Sequence, residues 1–113
     1  MPASDLLPLN PRDHLILFSL ATEERHGYGI VKDVEQTSRS QVRLDPANLY
    51  RSIKRMLVSG LVEEAGARVA VDAEGERRRY YRITALGLEV VRLESARLAD
   101  LTDQARTRKL IPG

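Results

Sequence analysis

Asp45, Pro46 and Gly60 punctuate one stretch of this chain as a short helix with defined ends, and the rest must fold around it. An Asp at the N-cap accepts hydrogen bonds from the free amides of the first turn. A Pro at the first helical position loses no bond and already has a helical φ. A Gly just past the last turn suits the left-handed residue on which helices end. Between these marks, Leu49, Ile53, Met56 and Leu57 recur at the spacing of one buried face. Asn48, Arg51, Ser52, Lys54 and Arg55 occupy the other side. Such a helix docks on a domain by its apolar stripe and presents cations and an amide to a polyanion. The expectation is a helix that enters the DNA major groove.

The remaining composition narrows the class. A chain of 113 residues suits one domain, and 42% hydrophobic with 30% charged residues suits a globular core. The absence of cysteine excludes disulfides, thiolate metal sites and cysteine nucleophiles. The start, MPASDLLPLN, lacks a secretory pattern, and no apolar run approaches the roughly 20 residues that span a bilayer. A cytoplasmic protein without a membrane partner is expected. His14 and His26 stand apart, with no Gly-rich phosphate loop and no zinc-like spacing. The chain is therefore read as a non-enzyme with no metal and no cofactor.

Net charge is only +2, but it is unevenly spread. Residues 1–37 hold three Lys/Arg against six Asp/Glu, whereas residues 38–60 hold five against one. Arg77, Arg78, Arg79 and Arg82 form a second concentration. A basic helix and a basic strand are the footprint of nucleic-acid binding.

Residues 1–9, with two prolines, read as a flexible arm. Asn10 and Pro11 start a first helix through LILFSLAT, with Leu17, Phe18, Leu20 and Ala21 as core candidates. Gly27 breaks the chain, and Ile30, Val31 and Val34 define a second helix from about Tyr28 to Ser38. With the Asp45–Ser59 helix these make a helix-turn-helix pattern. After Gly60 the period changes to that of strands: LVEEAGARVAV, an acidic Gly-containing turn DAEGE, then RRRYYRIT. Arg79, Tyr81 and Ile83 fall on one face, and Arg78, Tyr80 and Arg82 on the other. Gly66 and Gly75 invite bulges or turns. Since a lone hairpin is marginal in water, this one must pack on the helices with its tip projecting, as a wing does. Thr84 caps a long final helix stopped before Pro112. Leu86, Val90, Val91, Leu93, Leu98 and Leu101 make its apolar stripe, the expected homodimerisation surface. The predicted fold is α+β and mostly helical. A winged helix-turn-helix domain spans residues 10–83, followed by a C-terminal dimerisation helix over 84–113.

Three segments then carry a family resemblance. HGYGI at His26–Ile30, NLYRSIKRMLVSGLVE at Asn48–Glu63 and RRRYYRITALG at Arg77–Gly87 occur in the order and spacing of the PadR family of bacterial transcriptional regulators. The chain resembles the compact subgroup with a single C-terminal helix, over about Leu9 to Leu101. The resemblance implies a homodimeric repressor that binds a pseudo-palindromic operator in double-stranded DNA and leaves it when a small-molecule effector binds. It also implies that the Tyr50 hydroxyl touches a phosphate. Where the family often carries Gly-Thr before its Leu-Tyr pair, this chain has Ala47-Asn48, which points to a different sequence preference.

The candidate interface follows. Asn48, Arg51, Lys54 and Arg55 face the groove, where Arg reads guanine and Asn reads adenine, or where either touches phosphates alone. Ser38, Arg39, Ser40 and Arg43 precede the helix and can donate to phosphates. Arg77, Arg78 and Arg79 flank the wing tip; Arg79 can instead pair with an acid on the hairpin. The rival reading is a winged helix used only for protein–protein contact.

Overall fold

A computed structural model of the protein describes residues 2–69 and 77–113. A 3₁₀ turn, η1 (Ala3–Leu6), is followed by α1 (Pro11–Leu20), β1 (Arg25–His26), α2 (Gly27–Thr37) and α3 (Pro46–Val58). Strands β2 (Val62–Val69) and β3 (Arg77–Ile83) and the long α4 (Ala85–Thr107) complete the order. The architecture is α+β, a helical winged fold with one antiparallel sheet ordered β1-β3-β2. The predicted DAEGE turn and the end of the first predicted strand lie outside the described residues.

Local chemistry accounts for the helix ends. Asn10, Asp45 and Thr84 each accept from an amide three residues on, at 2.8, 2.8 and 3.0 Å. His26 Nδ1 does the same for Gly29 N–H at 3.1 Å, so α2 begins a residue earlier than its apolar period suggests. At the other ends, α2, α3 and α4 close with the same six-to-one bond. It runs from Ser40 N–H to Glu35 O, Leu61 N–H to Met56 O, and Leu110 N–H to Ala105 O. The left-handed residues are Arg39 (φ 53°), Gly60 (φ 78°) and Lys109 (φ 59°). Only Gly60 announced its end in the sequence.

The core joins Ile16, Leu17 and Leu20 of α1, Ile30 and Val34 of α2, Leu49, Ile53 and Met56 of α3, Val62 and Tyr81 of the wing, and Val90 and Val91 of α4. Phe18, expected inside, is 47% exposed. It lies two positions from both Ile16 and Leu20, hence on the far side of α1. Ser52, expected on the polar face of α3, is buried instead. In the wing, Tyr81 is buried and Ile83 packs on the core, as the alternation predicts. Gly66 (φ 89°) lies in a register shift between Glu64 and Ala67. The two-residue β1, pairing Arg25 with Tyr81 and His26 with Tyr80, was not expected; it is too short for any periodicity.

Residues 2–9, expected as a flexible arm, lie packed along the domain. Ala3 is buried, Leu6, Leu7 and Leu9 pack against the core, and Leu9 N–H donates to Glu94 Oε2 at 2.7 Å. The cause is Glu94, a fully buried carboxylate on α4 whose lone pairs require donors.

Wing, α3 and α4 share one root. Thr84 N–H donates to Leu61 O at 3.1 Å, and the Thr84 hydroxyl donates to Gly60 O at 2.5 Å. A Cβ on Gly87 would collide with the Leu61 carbonyl oxygen. Gly87 is therefore the residue that lets α4 lie against Leu61, in the link between α3 and β2, not merely a weak point in its first turn.

Candidate nucleic-acid interface

The face of α3 away from the core carries Asn48, Tyr50, Arg51, Lys54 and Arg55, and the structure distributes them unequally. Asp45 accepts from the Asn48 side-chain amide at 2.7 Å, and Asn48 Oδ1 accepts from Arg51 Nη1 at 2.9 Å. Lys54 is exposed and makes no ion pair among the described residues. Arg55, expected to face the groove, donates instead through Nη2 to both oxygens of Asp13 at 2.6 and 2.5 Å. Asp13 is buried, so this pair clamps α3 to the first turn of α1. The sequence offered Asp13 only as an acid suited to a helix N-terminus; the contact spans 42 positions.

Tyr50 crosses from α3 to α2. Its ring is half exposed, and a methyl group on Gly27 would lie 2.5 Å from its hydroxyl. The absence of a side chain at Gly27 is thus what seats Tyr50. Tyr28, equally exposed, stacks parallel to His26 at 6.4 Å and has the Arg78 and Lys32 cations each 5.5 Å from its ring centre. His26, Gly27, Tyr28 and Tyr50, with Arg77, Arg78 and Arg79, line a polar notch of about 270 Å³ between α2, α3 and the wing. Arg77 Nη2 donates to Ala67 O at 2.7 Å, and Arg79 pairs with Glu64 at 3.3 Å, the alternative foreseen for it. The two phenol hydroxyls can donate, and the guanidinium groups supply positive charge, so the notch suits an oxyanion.

Beside it, Arg68 lies 3.8 Å from the Tyr80 ring centre and donates to Glu24 at 2.5 Å, which holds the Glu24 carboxyl below its usual range. His26 and Arg68 were not among the expected contacts, whereas Tyr28 reads from the sequence as either a core residue or one that reaches a phosphate. The HGYGI segment carried a signal for His26; nothing in the sequence marked Arg68.

The link before α3 is structured. The Ser38 hydroxyl donates to Val42 O at 3.2 Å and accepts from Val42 N–H at 3.0 Å, so it is committed to the turn. Arg39 and Ser40 are exposed in the left-handed region, and Arg43 pairs with Glu35 at 3.4 Å.

The expected dimerisation stripe divides in two. Val90 and Val91 are buried in the domain core and Leu86 packs against it, so these three anchor α4 to its own domain. Leu93, Leu98 and Leu101 remain exposed, with Leu110 and Ile111 beyond them. An α4 of 23 residues outruns the surface its domain can offer it. No described helix is long and apolar enough to cross a membrane.

Comparison with known proteins places this arrangement. An uncharacterized protein of Lysinibacillus sphaericus is 29% identical over 75 residues, spanning 66% of each chain, just under two thirds of that relative. The PadR-like transcriptional regulator of Bacillus cereus superposes with a TM-score of 0.71 at 22% identity, over 90% of this chain and 92% of that one. Bacillus subtilis PadR in complex with operator DNA superposes with a TM-score of 0.61 at 16% identity, over 75% of this chain and 46% of that one. A profile of the transcriptional regulator PadR-like family matches residues 16–93. That span runs from α1 through the wing into α4, and the chain belongs to the transcriptional regulator PadR-like family.

Proposed function

We propose that this chain is a sequence-specific DNA-binding repressor that grips a pseudo-palindromic operator as a homodimer. The observation that carries the reading is the convergence of three elements on one notch: Tyr28 at the start of α2, Tyr50 of α3, and Arg77–Arg79 of the wing. A strand phosphate in that notch sets α3 at the depth where Arg51 and Lys54 reach the major groove. Arg39, Ser40 and Arg43 flank the same helix and supply further phosphate donors, while Arg55 holds the helix against α1. The operator complex of Bacillus subtilis PadR supports the choice of double-stranded DNA as partner.

One copy covers a half-site. The exposed Leu93, near the middle of α4, and Leu98 and Leu101 on its outer half supply the surface through which a second copy joins. Occupying the operator excludes the transcription machinery. A small-molecule effector held between the core and the paired α4 helices releases it by changing their angle.

Selection of bound fragments from genomic DNA tests the reading and yields the site. Arg51→Ala combined with Lys54→Ala is expected to abolish retarded complexes while the protein stays folded. Affinity for the selected site should fall by roughly a thousandfold between 50 and 200 mM salt, through counterion release. Unchanged gel-shift affinity in the double variant, or binding indifferent to salt, would leave the protein–protein module as the better reading.

A further inference from the structure

The first turn of α3 holds a relay of three side chains three residues apart. Asp45 uses both carboxylate oxygens on one residue. Oδ1 accepts from Asn48 N–H at 2.8 Å, and Oδ2 accepts from Asn48 Nδ2 at 2.7 Å. A carboxylate can only accept, so the amide nitrogen must face it and Oδ1 must face away. There Oδ1 accepts from Arg51 Nη1 at 2.9 Å. The order of donors and acceptors is therefore fixed from one end.

Two consequences bear on base reading. Asparagine reads adenine by using its amide donor and its carbonyl acceptor together. In Asn48 one of two amide hydrogens and one of two carbonyl lone pairs are already spent within the helix, which leaves Arg51 as the better placed base reader. Arg51 spends one Nη1 hydrogen on Asn48 and keeps its Nε and Nη2 donors, enough for the two-pronged contact with guanine O6 and N7. A long side chain must otherwise be ordered on binding, at a cost in affinity; here it is ordered beforehand. Asp45 also places a negative charge at the amino end of α3, which disfavours a phosphate there. That makes the helix approach DNA by its side chains.

The geometry points to Arg51 as the guanine-reading residue of each half-site, with Asp45 and Asn48 as positioning residues that set its discrimination without touching DNA. This inference rests on the proposed DNA-binding function and deepens it.

The test uses the operator recovered from genomic selection, with each base pair replaced in turn, and fluorescence anisotropy on the full-length protein. For the wild type, one guanine per half-site should show a penalty of about tenfold or more on replacement. In Arg51→Lys, Asn48→Ala and Asp45→Ser that penalty should fall to about threefold or less, while penalties at other positions persist. Serine is chosen at Asp45 because it preserves the cap on Asn48 N–H and removes only the second oxygen; thermal melting checks the fold. Removing the charge should also tighten binding to unrelated DNA, which a purely structural role of Asp45 would not do. The inference is overturned if the guanine penalty is unchanged in Asp45→Ser and Asn48→Ala. It is equally overturned if Asn48→Ala loses discrimination at an adenine, or if Arg51→Lys weakens all sequences alike. Failure of the wild type to bind any site selectively would overturn the proposed function itself, a result distinct from these.

Discussion

At the scale of single residues, the most consequential side chain is Glu94, an acid that interrupts the apolar seam of α4. It is fully buried, accepts from Leu9 N–H, and is paired with Arg97. The Arg97 hydrogen bond holds its carboxyl below the usual 4.5 despite burial. Nearby His14 is pushed below 6.5 chiefly by burial, and its Nε2 has no hydrogen-bond partner among the described residues. Both shifts favour the deprotonated form in the folded state. Each group therefore contributes stability that is complete above its unfolded pKa and lost as pH falls through the folded one. His14 acts first, below about 6.5, and Glu94 below about 4.5. Melting temperature should hold above pH 7, decline toward pH 5 and drop more steeply below. His14→Phe should remove most of the first decline, and Glu94→Ala should cost about 1–3 kcal/mol by stranding Leu9 N–H. A melting temperature that rises on acidification contradicts this assignment.

The elements differ in how far they were legible. Asn10-Pro11, Asp45-Pro46 and Thr84 marked helix starts because capping is local chemistry, and all three side chains cap as expected. The buried stripe of α3 was equally readable, since Leu49, Ile53 and Met56 are spaced by the helix period itself. What failed was whatever depends on distant partners. Arg55 found Asp13, Glu94 found Leu9, and β1 exists only because β3 lies beside it. For α4 the stripe was visible but its division was not, because periodicity does not say where the domain surface ends. That division yields a specific expectation. Leu98→Glu with Leu101→Glu alters only the outer half, and Val90 and Val91 keep the helix attached. The variant should remain folded by circular dichroism yet elute as a monomer in size-exclusion chromatography with light scattering. A dimer of unaltered mass would place the joining surface elsewhere.

At the scale of the whole molecule, the described protein measures 53 by 33 by 23 Å, and about 35 Å of its length is α4. Two copies joined through that helix would hold two α3 helices at a set separation, near one DNA turn of about 34–36 Å. Five base pairs inserted at the operator centre turn one half-site by about half a rotation. Affinity should then fall to the level of unrelated DNA in an anisotropy titration. Full affinity for the lengthened site would mean that the halves bind independently.

The bonds from Thr84 to Gly60 and Leu61, and the fit of Gly87 against Leu61, have a mechanical consequence. In the proposed dimer, the helix that would join the copies is tied by these bonds to the residues that directly follow α3. The pair would therefore behave as a calliper. Its jaws are the two α3 helices, its handles the two α4 helices, and its gap is set by the angle at which the handles cross. In such a dimer, a rotation of a few degrees between the handles, however produced, would move the jaws out of step with the grooves and so would serve as the release.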